Sequence, residues 1–194
     1  MDCHDEAALV TGLRRHDTAA FDRVYDLYRG RLFAFLLRLS RNRTVAEDLL
    51  SETWLRLVAH AGSLRPDTRL AAWLFTVARN LYWTHRRSRL MEAAVTAELL
   101  TLWPAREDWP SPFDVASAGE LERKVELALA VMPPQHREVL LLVGYEGFTP
   151  TEAAAVCSVT PEALRQRLSR ARAALAQAID VPPAEAPLNR NYGT

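Results

Sequence analysis

The sequence TPTEAAAVCSVTPEALRQRLSRARAAL, at residues 149–175, contains two consecutive helix-start signals. Thr149 is a suitable hydroxyl N-cap, Pro150 suits the first helical position, and Glu152 completes a capping-box pattern. The same Thr-Pro start recurs at residues 160–161. The pattern therefore predicts two short helices joined by a tight turn, which is a helix-turn-helix motif.

The second predicted helix of this motif has an apolar face and a basic face. Its apolar residues recur with the spacing of one helix face: Leu164, Leu168, Ala171 and Leu175. The residues off that face are basic or polar: Arg165, Gln166, Ser169, Arg170 and Arg172. A helix-turn-helix that exposes a basic second helix can enter the major groove of DNA, so this motif predicts DNA binding.

The composition argues against several other classes of protein. The chain has 194 residues, enough for one large or two small domains, and a formal net charge of zero. Its two cysteines, Cys3 and Cys157, form neither a disulfide framework nor a zinc motif. The histidines lack metal or triad spacing and no Gly-rich phosphate loop is present, so we expect no enzyme activity, metal or cofactor. No run suits a transmembrane span or a signal peptide, which favours the cytoplasm.

The charges are segregated along the chain although they sum to zero. Arginines without intervening acids fill the intervals between Asp26 and Glu47 and between Asp67 and Glu92. The acids concentrate in residues 92–126. Such segregation is typical of a protein that binds nucleic acid through selected faces.

Apolar periodicity is helical nearly throughout, so we expect an all-α protein of two small helical domains joined by a flexible linker. The predicted parts are a first domain at residues 1–90, an acidic, proline-containing linker at 91–118, a second domain at 119–180 and a disordered tail at 181–194. Helices are expected at residues 5–16, 17–39, 44–60, 67–89, 119–131, 134–144, 150–157 and 161–179. The expected N-caps of the first domain are Asp17, Thr44, and Asp67 or Thr68.

The predicted helix at residues 67–89 has a polar face opposite its apolar stripe. Besides Thr76, this face contains Arg79, Asn80, Trp83, Arg86 and Arg87. Arginines can follow a phosphate backbone while an aromatic ring stacks on an unpaired base, at roughly 1–3 kcal/mol per base. The face therefore suits single-stranded DNA. The alternative is a solvated basic face with its tryptophan packed on a neighbouring helix.

The predicted helix at residues 44–60 has a mixed acidic and apolar face beside its core positions Leu50, Trp54, Leu57 and Val58. The mixed face consists of Asp48, Leu49, Glu52 and Leu55. Exposed leucines flanked by carboxylates suggest docking onto a basic partner surface. A solvated face with a few apolar residues is the alternative.

Four segments together resemble bacterial RNA polymerase sigma factors of the extracytoplasmic-function (ECF) type, in the sigma-70 family. They are EDLLSETWLRL (47–57), AAWLFTVARNLYWTHRRSR (71–89), MPPQHREVLLL (132–142) and RQRLSRARAAL (165–175). ECF factors retain only sigma regions 2 and 4. Their order and spacing match here over residues 17–89 and 119–178.

The resemblance implies three sets of contacts. Region 2 would dock on the β′ clamp helices of core RNA polymerase through Asp48, Leu49, Glu52 and Leu55. It would also melt the promoter −10 element and hold the non-template strand with the loop 61–68 and with Arg79, Asn80, Trp83, Arg86 and Arg87. Region 4 would meet the β flap and read the −35 element with Arg165, Gln166, Ser169 and Arg170. Its phosphate contacts would be Arg167 and Arg172, with Arg137 a further candidate.

The resemblance also implies an anti-sigma factor as a partner, since many relatives are held inactive by one. The chain departs from the family pattern at three points: Ser51 replaces a frequent Gln, Ser158 replaces a frequent turn Gly, and Glu162-Ala163 replaces the usual entry to the recognition helix. The alternative function is a stand-alone helix-turn-helix regulator, which would bind duplex DNA tightly without polymerase.

Overall fold

The computed structural model describes residues 3–96 and 119–180, and the regular elements in these ranges are all helical. The N-terminal block contains α1 (Cys3–Arg14), α2 (Thr18–Ser40), α3 (Arg43–His60), a 3₁₀ turn (Ala61–Ser63) and α4 (Leu70–Thr96). The C-terminal block contains α5 (Glu120–Val131), α6 (Pro134–Leu140), a π-helical turn (Leu141–Tyr145), α7 (Pro150–Cys157) and α8 (Pro161–Asp180). The all-α prediction is confirmed. The predicted tail at 181–194 and most of the predicted linker, residues 97–118, lie outside the described residues.

The helix starts of the N-terminal block agree with the sequence at α2 and differ at α3. The carboxylate of Asp17 accepts from the backbone N–H of Ala19 at 3.0 Å, which confirms the predicted cap of α2. The cap of α3 is Asn42, whose side chain accepts from the N–H of Val45 at 2.9 Å. The prediction of Thr44 was wrong because an asparagine two residues earlier can make the same bond with extended backbone geometry.

The long helix α4 begins and ends later than the sequence predicts. Its first amide, on Leu70, donates to the carboxylate of Glu6 in α1 at 2.8 Å. A side chain from another helix therefore caps α4, in place of the predicted Asp67 or Thr68. Asp67 instead pairs with Arg65 at 2.7 Å. The helix continues to Thr96, so the linker predicted to begin at residue 91 is helical for its first turn and a half.

The core of the N-terminal block lies where α2 packs against α1, α3 and α4. Phe35 and Phe75 meet edge to face there, with ring centroids 5.2 Å apart. The other large buried side chains of this core include Leu32, Leu36, Leu39, Leu57, Leu70 and Leu74. On α3, Leu49 is buried whereas Val58 is 52% exposed, so the predicted inward face of this helix was wrong at both positions.

Helices α7 and α8 form the predicted helix-turn-helix. The Thr149 hydroxyl accepts from the N–H of Glu152 at 3.3 Å, and the Glu152 carboxylate accepts from the N–H of Thr149 at 2.8 Å. These reciprocal bonds are the predicted capping box. Between the helices, Ser158 adopts the left-handed conformation, with φ 55°, which is a conformation that favours glycine.

The two blocks pack directly against each other, mainly through α4 and α7 and through α2 and α6. At this junction Phe75 of α4 meets Phe148, with ring centroids 5.4 Å apart and planes at 76°. Apolar residues of both blocks thereby join one continuous core. None of the described helices combines the length and apolar character that crossing a bilayer requires.

We predict that Thr149→Ala lowers the free energy of unfolding by about 1 kcal/mol, because it removes one half of the capping box. Urea denaturation of the full chain, followed by circular dichroism, measures this loss. Thr149→Ser is the matched control, since serine retains the accepting hydroxyl. Equal destabilisation by both substitutions would show that the hydroxyl is not the stabilising group.

Candidate nucleic-acid interface

The second helix of the motif, α8, is anchored by its apolar face and leaves its basic face in solvent. Leu164, Leu168 and Ala171 are buried against the rest of the C-terminal block. The exposed side chains are Arg165, Gln166, Ser169, Arg170 and Arg172. The predicted division between core and surface is therefore confirmed, and the exposed arginines form a face with the shape and charge to enter a DNA major groove.

At the start of α8 an ion pair orients one of these arginines. The Glu162 carboxylate accepts from the Arg165 guanidinium at 2.7 Å, one helical turn away. That hydrogen bond lowers the pKa of Glu162 from its ordinary value. Glu162, one of the residues that depart from the family pattern, is therefore ionised and paired. It keeps the Arg165 side chain at the solvent-exposed N-terminal turn of α8.

Arg167 lies on a different side of α8 from the other arginines. Its side chain is only 25% exposed, and its guanidinium is 3.8 Å from the carboxylate of Glu138 in α6. In this arrangement Arg167 faces the protein interior, so the expectation of a phosphate contact there does not fit the conformation described.

The last residue of α7 is a buried cysteine. Cys157 is 1% exposed, and burial raises the pKa of its thiol to about 12, with the nearby Glu138 carboxylate adding to the shift. A thiol with that pKa is protonated at neutral pH and is a poor nucleophile. The side chain therefore acts as a small apolar residue that packs the motif.

The polar face of α4 is divided between two environments. Asn80 is exposed beside a groove that also includes Trp73 and His60, whose rings have centroids 6.5 Å apart. Arg87 is exposed and Arg86 is half-buried. This half of the predicted single-strand face is accessible, and the adjoining groove places aromatic rings beside the Asn80 amide, a combination suited to an unpaired base.

The other half of the α4 face is covered by the C-terminal block. Glu138 accepts from the Arg79 guanidinium at 2.7 Å and from the Trp83 indole N–H at 2.8 Å. Glu138 has no exposed side-chain surface, and Arg79 is only 16% exposed. The structure therefore favours, for Trp83, the alternative that the tryptophan packs on a neighbouring helix. Sequence reasoning missed Glu138, although a lone acid at the edge of the apolar run VLLL was a usable signal.

Arg137 has a structural position, and its interpretation as a phosphate contact was wrong for this conformation. It is 4% exposed and donates to carbonyl oxygens at the ends of two helices. In α5 and just after it, the acceptors are Leu129, Ala130 and Met132, at 2.8–2.9 Å. At the end of α2 they are Arg38 and Leu39, each at 3.1 Å. The guanidinium satisfies carbonyls that helix ends leave without partners, and it joins the two blocks.

The mixed face of α3 is only partly as predicted. Asp48 is exposed and Leu55 is 64% exposed, and Glu52 pairs with Arg56 at 2.8 Å. Leu49 is 7% exposed and belongs to the core, so its assignment to a docking surface was wrong. The exposed apolar part of this helix is formed by Leu55 together with Val58, which sequence reasoning placed inside.

These features define an all-helical DNA-binding protein in which a helix-turn-helix is combined with a second basic helical module. Family comparison gives the same division. Residues 24–90 match the Sigma-70 region 2 family, and residues 122–175 match Sigma-70, region 4. The chain belongs to the sigma-70 family of RNA polymerase sigma factors, in its ECF group, and these proteins are transcription initiation factors.

Individual relatives agree with this assignment. The chain is 35% identical over 159 residues to the ECF RNA polymerase sigma factor EcfG of Rhodopseudomonas palustris, covering 79% of this chain and 82% of that protein. It is 33% identical over 155 residues to the sigma factor CarQ of Myxococcus xanthus, covering 78% and 84%.

Among solved structures, the chain resembles sigma factor RpoE of Bartonella quintana in complex with the anti-sigma factor NepR. The TM-score is 0.68 at 29% identity, covering 83% of this chain and 97% of that one. The fold is also that of CnrH in complex with the cytosolic domain of CnrY, with a TM-score of 0.66 at 21% identity, covering 91% and 97%.

We predict that Arg137→Ala lowers the free energy of unfolding by more than about 2 kcal/mol in the absence of DNA, because buried carbonyls lose their donor. Calorimetric melting of the full chain measures this. Arg123→Ala, which removes an exposed arginine of the same block, is the control and should change stability little. A wild-type melting temperature for Arg137→Ala would contradict the structural role.

Proposed function

We propose that this sigma factor directs core RNA polymerase to its promoters through two DNA contacts. In this proposal α8 binds the −35 element and α4 binds the melted −10 element. The observation that carries the proposal is the exposed basic face of α8 in a complete helix-turn-helix, in a chain that belongs to the sigma-70 family. Such a factor works where RNA polymerase works, in the bacterial cytoplasm.

The proposed −35 contacts divide by chemistry. Arg165, Gln166, Ser169 and Arg170 lie on the exposed face and are assigned to base edges. Arginine can bind guanine, and glutamine adenine, through two hydrogen bonds each. Arg172, farther along the helix, is assigned to phosphate, a contact that carries no sequence information.

The proposed −10 contacts lie on α4 and in the loop at residues 61–68. The exposed Asn80, beside the groove with Trp73 and His60, is placed to accept a base that has left the stack. Arg86 and Arg87 would follow the strand backbone, and Arg79 and Trp83 would join them once Glu138 is displaced. Capturing unpaired bases offsets the cost of unstacking them, about a few kcal/mol.

The proposed polymerase contact is the exposed part of α3, where Asp48 and Glu52 flank Leu55. We assign this surface to the β′ clamp helices and the C-terminal block to the β flap, by family likeness. The RpoE relative was solved with an anti-sigma factor, and its likeness extends over most of this chain. We therefore propose that an anti-sigma protein controls this factor as well.

Run-off transcription with purified core polymerase and genomic DNA tests the function. Added protein should produce discrete start sites that share upstream elements, and core enzyme alone should not. Tight, specific binding to duplex promoter DNA without polymerase, together with no new start sites, would instead identify a stand-alone regulator.

We predict that Arg170→Ala costs about 1–3 kcal/mol at the preferred −35 sequence and relaxes the preference at one base pair. Arg172→Ala should weaken holoenzyme binding similarly for all −35 sequences and reduce its salt dependence. Competition among promoters with single −35 substitutions measures both effects. An unchanged preference in Arg170→Ala would remove this residue from base readout.

We predict that Asp48→Lys lowers affinity for core polymerase several-fold, because it places a like charge against a basic partner surface. Glu47→Lys is the matched control, since Glu47 is the neighbouring acid and pairs with Arg43 at 2.9 Å within α3. Surface plasmon resonance with immobilised core enzyme measures both. Equal losses in the two variants would indicate a general charge effect and no specific docking site at Asp48.

A further inference from the structure

Within the described residues, at least four ion pairs join the two blocks, and these four have the same polarity. In each, the arginine comes from the N-terminal block and the glutamate from the C-terminal block. The pairs are Arg31 with Glu146 (3.0 Å), Arg38 with Glu126 (2.8 Å), Arg79 with Glu138 (2.7 Å), and Arg69 with Glu152. The arginines that the sequence segregates into a basic surface are therefore facing an acidic surface within the same chain.

The contact is supported by packing as well as by charge. Arg31 lies over the ring of Phe75 at 5.7 Å, and Arg38 lies over the ring of Tyr145 at 4.6 Å. Phe75 in turn packs edge to face on Phe148. The arginines are held between aromatic rings and carboxylates, which gives the junction a defined geometry.

The most buried of these pairs occupies the face proposed to hold melted DNA. Glu138 takes hydrogen bonds from both Arg79 and Trp83, which are candidate contacts to the non-template strand. A carboxylate and a phosphate are both anionic acceptors for a guanidinium. Arg79 is only 16% exposed while it lies against Glu138, and the Trp83 indole N–H is bonded to the same carboxylate. A DNA strand can approach these two side chains only after Glu138 has moved away, so the two states exclude each other.

We call the arrangement in which the two blocks pack against each other the closed arrangement. It also conflicts with simultaneous binding of α8 to the −35 element and of α4 to the −10 element. The −35 and −10 elements lie about 25 base pairs apart by definition, which is about 85 Å along duplex DNA. In the closed arrangement Arg69, at the start of α4, pairs directly with Glu152 in the first helix of the helix-turn-helix. The two modules must separate before each can reach its own element.

We propose that this factor is autoinhibited when free: the glutamates Glu126, Glu138, Glu146 and Glu152 occupy the basic surface of region 2 in place of nucleic acid, and the blocks must part before single-stranded DNA can bind there. The inference rests on the proposed function of α4 as the single-strand face. It assigns the acidic surface of region 4 as an internal competitor for that face.

The double variant Glu126→Gln/Glu146→Gln tests this in the full-length protein, because it removes two of the pairs at the edge of the junction. The matched control is Glu120→Gln/Glu122→Gln, which removes the same charge from exposed positions in the same block. Circular dichroism and thermal melting establish that each variant is folded. Small-angle X-ray scattering then gives the radius of gyration, and fluorescence anisotropy gives the affinity for a labelled random-sequence single-stranded DNA.

We expect the test variant to expand and to bind the single strand about 2- to 10-fold more tightly than the control, the range for losing two partly exposed ion pairs. Raising salt should expand the wild-type protein too, since screening weakens the four pairs. A test variant as compact as the wild type with control affinity would overturn the proposal. Expansion without any gain in affinity would overturn the competition between glutamates and DNA.

The proposed function is tested separately by adding Asn80→Ala/Trp83→Ala to the test variant Glu126→Gln/Glu146→Gln. Loss of the affinity gain would place the single strand on α4, as both proposals require. A gain that persists would show that the strand binds elsewhere and would overturn the competition at this face. Promoter-dependent run-off transcription by the holoenzyme would still establish the sigma function in that case.

Discussion

The arrangement of the two blocks depends on a carboxylate that has no access to water. An ionised glutamate is expensive to bury unless charged and hydrogen-bonding partners surround it. Glu138 finds them in Arg79 and Trp83 of the other block, with Arg167 nearby. Its neighbour in sequence, Arg137, is a buried cation and needs hydrogen-bond acceptors. Carbonyl oxygens at helix ends in both blocks provide them. The start of α6 thus inserts two opposite charges into the junction. Both hydrogen bonds that Glu138 accepts from Arg79 and Trp83, and two of those that Arg137 donates, cross between the blocks.

Sequence reasoning succeeded where the signal is local. The Thr-Pro starts and the apolar spacing fixed the helix-turn-helix because caps and helix faces depend on residues a few positions apart. It failed where the partner is distant in sequence. Asn42 and Glu6 cap helices that were assigned other caps, and Leu49 is buried by neighbours that the pattern on α3 could not reveal. Arg137 was assigned to a phosphate contact because the local sequence around an arginine at a helix start does not show whether its guanidinium binds DNA or a carbonyl oxygen.

The candidate site shows the same limit at a larger scale. The segregated arginines were interpreted as a nucleic-acid footprint, a prediction that the family match does not itself test. In the free chain several of them already have carboxylate partners. The formal net charge of zero reflects equal numbers of acids and bases. Part of this balance lies across an internal interface, and a one-dimensional charge count cannot distinguish an internal partner from an external one.

Glu152 shows how closely the two modules are joined. One of its oxygens completes the capping box of α7 with Thr149, and the other accepts from Arg69 at the start of α4. A single side chain therefore takes part in capping the helix-turn-helix and in attaching it to the N-terminal block. Selection at this position therefore acts both on the capping box and on the ion pair with Arg69. Glutamine could replace it in the cap but would discard the ionic contact, so drift at this residue would alter how easily the modules separate while leaving the motif itself intact.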